Sequence, residues 1–333
     1  MGVEYSSPLF ISNDMNKNID LSIIIPLYNE ENSLSTLFEE IKSNINDLNW
    51  ELIFINDGST DNSKNIILDF ITDNDNVKLI DSSNNKGKSE ALNKGFQYCK
   101  GKIIITMDGD LQDDPSEINN FIKIIKNNQC DMVSGWKKDR KDPISKTFLS
   151  KIFNVILRLI SGIKLNDFNC GFKAYKINVV KSLTLYGGLH RFIPILVKKN
   201  GFTIKELSVN HRKRVHGKSK YGSNRIYHGF FDLISVLFLN KYFTKPLHFF
   251  GFFGFILSIL GFSINAYLSY NWIYYNFFLE QISYTINRPL LFFGILALIV
   301  GFQLISIGLI GELIVRHYKK ENIKAHSFYN IIE

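Results

Sequence analysis

The chain has 333 residues, of which 45% are hydrophobic and 14% aromatic, and its formal net charge is +8 at pH 7. The length allows one large domain or two smaller ones, and the apolar content is high for a purely soluble protein. The positive charge alone would fit a nucleic-acid partner, but no helix-turn-helix, RRM or OB signature accompanies it. Three cysteines lack CxxC spacing, which argues against structural zinc and fits a reducing compartment: Cys99, Cys130 and Cys170.

The first 20 residues form an N-terminal extension before the first apolar run. They contain neither a basic n-region nor an apolar h-region, so they do not have the pattern of a secretory signal peptide. We therefore expect the domain that follows to stay in the cytoplasm.

From residue 21 to about residue 130, apolar runs alternate with helical patterns. The run LSIIIPLYNE (21–30) predicts a buried parallel strand that opens into a loop, and the helical pattern SLSTLFEEIKSNI follows it. The same scheme recurs in WELIFINDGSTDNS, VKLIDSS, KSEALNKGFQYC and GKIIITMDGD. This alternation predicts an α/β fold with a mainly parallel sheet, whose ligands bind at the carboxyl ends of the strands.

Acidic residues gather where the predicted strands end. Asp108 and Asp110 end the fourth strand and, two residues apart, share one face of it, while Gly109 lets a ligand approach the backbone. Such a pair suits a hard divalent cation that also holds a diphosphate, so Mg²⁺ or Mn²⁺ is predicted here. Glu30 and Asp57 lie at the same edge, which favours a site where cations or ligand hydroxyls accept this charge.

Two more acids, Asp113 and Asp114, stand just before Pro115. A helix N-terminus favours negative charge and accepts proline in its first turn. We predict that both acids cap the next helix, SEINNFIKIIK, rather than serve the metal site.

Basic residues gather in three stretches. One precedes the helix KSEALNKGFQYC, whose N-terminus is suited to an anion. The others are GWKKDRKDPISKTFLSKIFN (135–154) and NHRKRVHGKSKYG (210–222). A solvated charged face is one interpretation of each. The other is that two phosphates are held beside the acidic metal site, one on a donor and one on an acceptor.

The composition changes to Phe, Leu, Ile and Gly from residue 247 onward. Segments 247–270 and 289–315 each exceed the roughly 20 apolar residues that cross a bilayer, and neither has a polar face. Basic residues flank the pair at both outer ends. By the positive-inside rule, the loop 271–288 lies outside the cytoplasm and the tail 316–333 inside it.

Three features of this region predict how it is anchored. The stretch 224–246 has apolar residues near helical spacing and basic ends, which favours an interfacial amphipathic helix; part of the soluble core is the alternative. Glu312, near the cytoplasmic end of the second span, is expected to pair with a basic group. Five glycines would allow close helix packing, including packing between protomers: Gly251, Gly254, Gly301, Gly308 and Gly311.

Six motifs occur in a characteristic order: IIIPLYNEENSL, INDGSTDNS, NKGKSEALNKG, MDGDLQDDP, DFNCGFKAY and HRKRVHGKSKYG. Over about residues 20–222 the chain thereby resembles family 2 glycosyltransferases of the polyprenyl-phosphate type, such as dolichol-phosphate mannose synthase and the bacterial undecaprenyl-phosphate enzymes of the GtrB and ArnC kind. The stretch GLIGELIVRHYKK also resembles the end of the membrane hairpin in those bacterial enzymes.

The resemblance implies a GT-A catalytic domain over residues 21–223. It also implies metal-dependent, inverting transfer of a hexose from a nucleotide diphosphate sugar, with UDP-glucose or GDP-mannose favoured. The acceptor would be undecaprenyl or dolichyl phosphate at the cytoplasmic face of the membrane, with a bacterial plasma membrane favoured. A homo-oligomer, such as a tetramer, would be compatible with these relatives.

The resemblance further implies roles for individual residues. Asp167 would face the sugar and orient it, with a general base as the less favoured role, and would join Asp108 and Asp110 as a catalytic residue. Gln112 would complete the metal and diphosphate motif. The acceptor phosphate would be held by Arg140, Lys146 and Ser150. The nucleotide sugar would be held by Pro26, Tyr28, Glu30, Asp57, Lys88, Asp108, Gly109, Arg212 and Lys220.

The sequence departs from the family pattern at four positions. Asn56 stands where the first Asp of the usual DDGS is found, which leaves its role open. Gly109 replaces a common Ala, a change that we expect to be harmless. Lys137 and Lys146 stand where Arg is frequent, so bidentate phosphate recognition would become attraction to a point charge.

Two other functions stay open from the sequence. A processive polysaccharide synthase shares the N-terminal motifs, but this sequence has neither a QxxRW motif nor the further spans that would form a channel. A catalytically dead membrane scaffold with a transferase fold is the second alternative. The intact DGD and GKSKY motifs argue against it.

Overall fold

The computed structural model describes residues 18–45, 48–138, 153–159, 161–212, 246–278 and 287–326. The chain divides into two units, Met1–Asp232 and Leu233–Glu333. The predicted interfacial helix lies outside the described residues, apart from Pro246.

The first unit contains a sheet with helices between its strands. The strands are β1 (Leu21–Leu27), β2 (Trp50–Asp57), β3 (Val77–Ser82), β4 (Ile103–Thr106), β5 (Met132–Lys137), β6 (Lys173–Lys176) and β7 (Ile204–Val209). The helices are α1 (Glu31–Asn44), α2 (Ser63–Asp73), α3 (Lys88–Tyr98), α4 (Ile118–Lys126), α5 (153–159), α6 (Ile177–Lys181) and α7 (Ile193–Lys199), with 3-10 turns at Pro115–Glu117 and Leu189–Phe192.

The seven strands form one sheet in the order β3-β2-β1-β4-β6-β5-β7. Strands β1 to β4 are parallel, which confirms the predicted α/β class. Strand β6 is antiparallel to β4 and β5, whereas β5 and β7 are parallel to each other. The first residue of β6, Lys173, therefore pairs with Thr106 at the end of β4 and lies at the edge where the other strands end.

Both faces of the sheet are buried at β1, whose side chains alternate between the two faces. Ile23 and Ile25 belong to the core that α1, α2 and α4 cover. Ile24 faces α3 on the other side, where a Cβ added to Gly95 would lie 2.6 Å from Ile24 and from Ile55. Only a glycine lets α3 pack this close to the sheet. The run of β-branched residues in β1 is thus the centre of a three-layer arrangement.

The second unit contains two long helices, α8 (Pro246–Ile273) and α9 (Arg288–His326), with a π-helical turn at Tyr274–Phe278 after α8. Pro246–Phe277 and Arg288–Val315 are long and apolar enough to cross a membrane, with mean hydropathies of 2.0 and 2.6. Large apolar side chains on these helices are exposed, including Phe262 and Phe302. Helix α9 continues past Val315 into the predicted tail.

The two long helices approach each other at glycines. A Cβ added to Gly254 would lie 2.6 Å from the carbonyl oxygen of Gly301, and one added to Gly261 would lie 2.6 Å from that of Gly294. Small residues permit this approach of two helix backbones in an apolar environment. Gly254 and Gly301 therefore pack within the chain.

Glu312 lies on α9. Its Oε2 atom is buried and has no hydrogen-bond partner among the side chains that the structure describes. The basic partner predicted for Glu312 is not among those side chains.

Candidate active site

Charged side chains meet at the edge of the sheet where the parallel strands end. Asp57 ends β2, Asp108 and Asp110 follow β4, Lys137 ends β5, and Lys173 begins the antiparallel β6. The topology brings these residues together from distant parts of the sequence, as expected for a ligand site on an open α/β sheet.

Asp108 is held in a cationic environment. Its Oδ1 accepts a hydrogen bond from Nζ of Lys88, at the start of α3. Burial by itself would raise the pKa of Asp108, but the charges of Lys88, Lys137 and Lys173 outweigh it and lower the pKa to about 2. The Asp108 carboxylate is therefore ionised at neutral pH. Burial likewise opposes the charge on Lys88, but Asp108 raises the pKa of that lysine.

Asp110 follows on the same loop and is buried. Its Oδ1 accepts the backbone N–H of Gln112 at 3.2 Å. Leu111 between them has a φ of 62°, a left-handed conformation that is unusual for a bulky residue. The Leu111 side chain is buried in the core, which anchors this turn. The loop thus holds the predicted metal residues in one defined conformation.

Two glycines lie close to the acidic pair, and they differ in the space that a side chain would find. A Cβ added to Gly171 would lie 2.7 Å from both carboxylate oxygens of Asp108. A Cβ added to Gly109 would meet its nearest neighbours, Ile25 and Leu27, at an ordinary 3.5 Å. This agrees with the expectation that alanine and glycine are interchangeable at position 109. It also makes Gly171 a position where the backbone must approach Asp108 closely.

Asp57 organises the loop that leads into α3. Its two carboxylate oxygens accept the backbone N–H groups of Lys86 and Gly87 at 2.7 and 2.8 Å. Gly58 after it has a φ of 73°, and a Cβ there would lie 2.6 Å from the backbone of Asn84 and Asn85. Asp57 therefore positions the loop that carries Lys88 into the site. Its predicted contact with the nucleoside stays a prediction.

Asn56, the departure from the usual DDGS, has a defined structural partner. The buried Asn56 side chain donates from Nδ2 to Oδ1 of Asp81 at 2.7 Å, and its Oδ1 accepts the backbone N–H of Ser59 at 3.1 Å. An amide can make both contacts, whereas a carboxylate could make only the second. The residue at position 56 is thus matched to Asp81 on the neighbouring strand.

The substitution Asn56→Asp tests this match. It would place two carboxylates at hydrogen-bond distance, so we expect the full chain to lose about 1–3 kcal/mol of stability at pH 8. The loss should be smaller at pH 5, because protonation of either carboxyl group relieves the repulsion. Thermal melting at both pH values measures it. Adding Asp81→Asn should restore the melting temperature, and an unchanged melting temperature for Asn56→Asp at pH 8 would contradict the match.

The loop after β1 is joined to the loop after β2. Asn29, with a φ of 54°, accepts the backbone N–H of Thr60 on its Oδ1 at 2.8 Å, and its own N–H donates to Oγ of Ser59. The backbone N–H of Glu30 donates to Oγ of Ser63. Three predicted nucleotide-binding residues, Pro26, Tyr28 and Glu30, therefore stand on or beside a braced loop and are partly exposed.

The prediction that Asp113 caps a helix is wrong, whereas that for Asp114 is confirmed. Asp114 accepts the backbone N–H of Ser116 at the start of the turn Pro115–Glu117. Asp113 is fully buried, and its Oδ1 lies 2.9 Å from Nζ of Lys137. Burial opposes the charge on Lys137, but Asp113 raises its pKa above the ordinary lysine value. Lys137 is thus committed to a buried ion pair.

Arg212 lies at the end of the described part of the first unit. Its Nη1 contacts Oε1 and Oε2 of Glu40 at 2.9 and 2.7 Å, and its Nη2 contacts Oδ1 of Asp114 at 2.8 Å. Its backbone N–H donates to the carbonyl of Gln112. The structure therefore joins Arg212 to the acidic loop, while its predicted role at the donor stays a prediction.

Asp167 and Lys173 are two further charged residues of the first unit. Asp167 is buried, and its Oδ1 accepts the backbone N–H of Asn169 at 3.1 Å. Lys173 is also buried, and its Nζ donates to the carbonyl of Cys170. Burial lowers the pKa of Lys173, and the charges of both Asp167 and Asp108 act on it in the opposite direction. The charges of the two predicted catalytic acids thus both act on Lys173.

His190 is a further residue near the site. Its backbone N–H donates to Oγ of Ser89 at 2.9 Å, and its Nδ1 lies 2.9 Å from the same oxygen. The Ser89 hydroxyl therefore contacts both the backbone and the ring of His190. Burial, Lys88 and Arg191 lower the His190 pKa well below its ordinary value.

Sequence reasoning missed Lys173, His190 and the pairing of Asp113 with Lys137. A single lysine in the apolar run CGFKAY was the available signal for Lys173. For His190 and for the pairing of Asp113 with Lys137, the contacts that reveal a role exist only in the folded structure. Four predicted site residues lie outside the described residues: Arg140, Lys146, Ser150 and Lys220.

The two acids after β4 could supply two of the ligands of a divalent cation. Among the described residues, no group of three or more His, Cys, Asp or Glu side chains is arranged to bind a metal. Asp108 and Asp110 supply two carboxylates from one loop. Mg²⁺ commonly binds through one or two carboxylates together with substrate phosphates. The residues present therefore fit a metal whose remaining ligands come from a diphosphate.

Residues 22–184 match the family described as Glycosyl transferase family 2. The dodecaprenyl-phosphate galacturonate synthase of Rhizobium johnstonii is 34% identical over 324 residues, which cover 95% of this chain and 93% of the relative. The chain belongs to glycosyl transferase family 2. A second relative in the same range, the undecaprenyl-phosphate 4-deoxy-4-formamido-L-arabinose transferase of Shewanella sediminis, is 33% identical, with 95% of this chain and 93% of the relative covered.

Solved structures of other proteins share the fold of this family 2 glycosyltransferase. Glucosyl-3-phosphoglycerate synthase from Mycobacterium tuberculosis, solved with Mn²⁺ and uridine-diphosphate-glucose, superposes with a TM-score of 0.52 at 17% identity. The match covers 67% of this chain and 79% of that chain. A second complex of the same enzyme has a TM-score of 0.53 at 16% identity and covers 67% and 78% of the two chains. The predicted GT-A fold is confirmed.

Proposed function

We propose that this family 2 glycosyltransferase transfers a sugar from a nucleotide diphosphate sugar to a polyprenyl phosphate at a membrane surface. One observation carries the proposal. Two relatives align with almost the whole chain, at 34% and 33% identity. The names of both contain a polyprenyl phosphate, although the sugars in the two names differ.

The donor would bind at the sheet edge, with its diphosphate on a divalent cation held by Asp108 and Asp110. When bound, the cation would neutralise charge on the leaving diphosphate. Lys88 would add a positive charge at the start of α3, a helix N-terminus that favours phosphate. A fold neighbour was solved with Mn²⁺ and uridine-diphosphate-glucose, which supports a divalent cation and a nucleotide sugar as the ligands. Gln112, Pro26, Tyr28, Glu30, Asp57, Arg212 and Lys220 keep their proposed places around the donor.

The acceptor phosphate needs little activation. A phosphate monoester carries roughly −1.5 to −2 charges at pH 7, so it attacks without a general base. The protein must bring two anions together, which agrees with the lysines around Asp108. We assign Asp167 to orienting the sugar, since a base is not required. We propose that the acceptor phosphate is bound by Arg140, Lys146 and Ser150.

The two long apolar helices would anchor the protein in the membrane that contains the lipid acceptor. A polyprenyl chain stays in the bilayer, so its phosphate can be reached only at the membrane surface. Helices α8 and α9 are long enough to anchor the catalytic domain there, and their exposed faces are apolar. We place that domain on the cytoplasmic side of a bacterial plasma membrane, because basic residues flank both spans.

A donor panel tests the proposal. The purified full chain would be incubated with undecaprenyl phosphate, Mn²⁺ and labelled nucleotide sugars. The panel contains UDP-glucose and GDP-mannose, which the sequence resemblance favours, together with nucleotide derivatives of galacturonate and 4-deoxy-4-formamido-L-arabinose. We expect one donor to give a labelled lipid product that EDTA abolishes. The absence of lipid product with every donor would leave the scaffold alternative.

A further inference from the structure

Asp113 joins three parts of the first unit. It lies on the loop of Asp108 and Asp110, and its Oδ2 accepts the backbone N–H of Asp108 at 3.0 Å. Its Oδ1 lies 2.9 Å from Nζ of Lys137 at the end of β5. Its backbone forms an isolated antiparallel bridge with His211, after β7. The fully buried Asp113 thus connects the acidic loop to the end of β5 through its carboxylate and to the segment after β7 through its backbone.

The contacts of Asp113 determine which carboxylate pairs with the ammonium group of Lys137. Its side chain is 11% exposed, so its ammonium group needs a carboxylate partner. After Asp113, the carboxylate whose charge acts on Lys137 is Asp108. Asp108 already accepts a hydrogen bond from Lys88, which is more exposed, at 25%. A second lysine at Asp108 would compete directly with any cation for that carboxylate.

We propose that Asp113 is a positioning residue for metal binding: it keeps Lys137 away from Asp108 and holds the Asp108 backbone, so that the Asp108 carboxylate is available to a divalent cation. The proposal rests on the proposed function, which places the cation on Asp108 and Asp110. It assigns to Asp113 a role that its position before a proline does not suggest.

The substitution Asp113→Asn separates the charge of Asp113 from its shape. Asparagine can still accept the N–H of Asp108, but it leaves Lys137 without a counter-charge. We expect the affinity for Mn²⁺ in the presence of UDP or GDP to fall by about 10–100-fold, the range typical of residues that support metal ligands. The loss of the free Mn²⁺ signal in electron paramagnetic resonance measures this binding directly on the full chain.

A second variant tests the competition itself. Asp113→Asn combined with Lys137→Met removes the unpaired lysine as well. We expect the double variant to recover most of the lost Mn²⁺ affinity. A double variant that binds Mn²⁺ as weakly as Asp113→Asn would overturn the proposal, because the competing lysine would then be absent.

Glu51→Gln is the matched control. Glu51 is a buried carboxylate whose Oε2 lies 2.6 Å from Nζ of Lys78, near the start of β2 and away from the site edge. We expect it to lower the melting temperature and leave Mn²⁺ affinity unchanged. If Asp113→Asn behaves in the same way, Asp113 is only structural and the proposal fails. If the wild-type chain binds no Mn²⁺ with either nucleotide, the metal premise fails together with the proposal.

Discussion

Asp110→Asn should reduce sugar transfer by at least about a hundredfold while leaving the melting temperature within a few degrees of the wild type. Metal coordination contributes several kcal/mol to such a reaction, and each 1.4 kcal/mol corresponds to about tenfold in rate. Asparagine keeps the shape of the side chain and can still accept the N–H of Gln112. The change therefore removes mainly the charge. Initial rates at saturating donor and Mn²⁺ measure it, alongside thermal melting.

Asp131→Asn is the matched control for this substitution. Asp131 precedes β5 at the opposite edge of the sheet, where it contacts Thr203 and Lys176. The same loss of charge there should cost stability and leave the transfer rate of the folded protein intact. Near-normal turnover by Asp110→Asn would remove Asp110 from the metal site.

Gly171→Ala should also strongly reduce the rate of sugar transfer, because it displaces a carboxylate rather than removing its charge. The added Cβ would lie 2.7 Å from both oxygens of Asp108, so the carboxylate must move. The displaced atoms are the end of a side chain, so the fold should tolerate the change. Misplacing a reacting or metal-holding group by about 1 Å can cost about a hundredfold in rate. We therefore expect a loss of that order with little change in melting temperature.

Gly109→Ala provides the comparison, since it adds the same methyl group between Asp108 and Asp110. Its Cβ would meet Ile25 and Leu27 at 3.5 Å, which is ordinary contact. Transfer by Gly109→Ala should stay within about twofold of the wild type, a difference of about 0.4 kcal/mol. Equal rates for the two alanine variants would contradict the close approach at Gly171.

Much of the sheet could be predicted from the sequence because its parallel strands are continuous apolar runs. The runs that became β1, β2 and β4 are each followed by turn residues and a helical pattern. Strand β6 could not be predicted in the same way. It is four residues long and antiparallel, and its place between β4 and β5 depends on pairing with distant residues. Local periodicity carries no information about that pairing.

The acidic end of the candidate site was predictable, but its internal contacts were not. Asp108 and Asp110 stand out by their spacing alone. Asp113 follows the local pattern of a helix cap, and only its ion pair with Lys137 shows that its role is different. Asn56 likewise looks like a lost acid until Asp81 is placed beside it. In each case a residue distant in sequence determines the role.

The most direct test of transfer to a polyprenyl phosphate is one reaction that offers two acceptors and follows which of them receives the sugar. The full chain would receive Mn²⁺, the donor found with the panel, undecaprenyl phosphate and 3-phosphoglycerate. We expect the label to enter the organic phase as a lipid carrying one sugar, and we expect Asp110→Asn to abolish this product. Label in a water-soluble phosphoglycerate product or in a polymer, with none in the lipid, would contradict transfer to a polyprenyl phosphate.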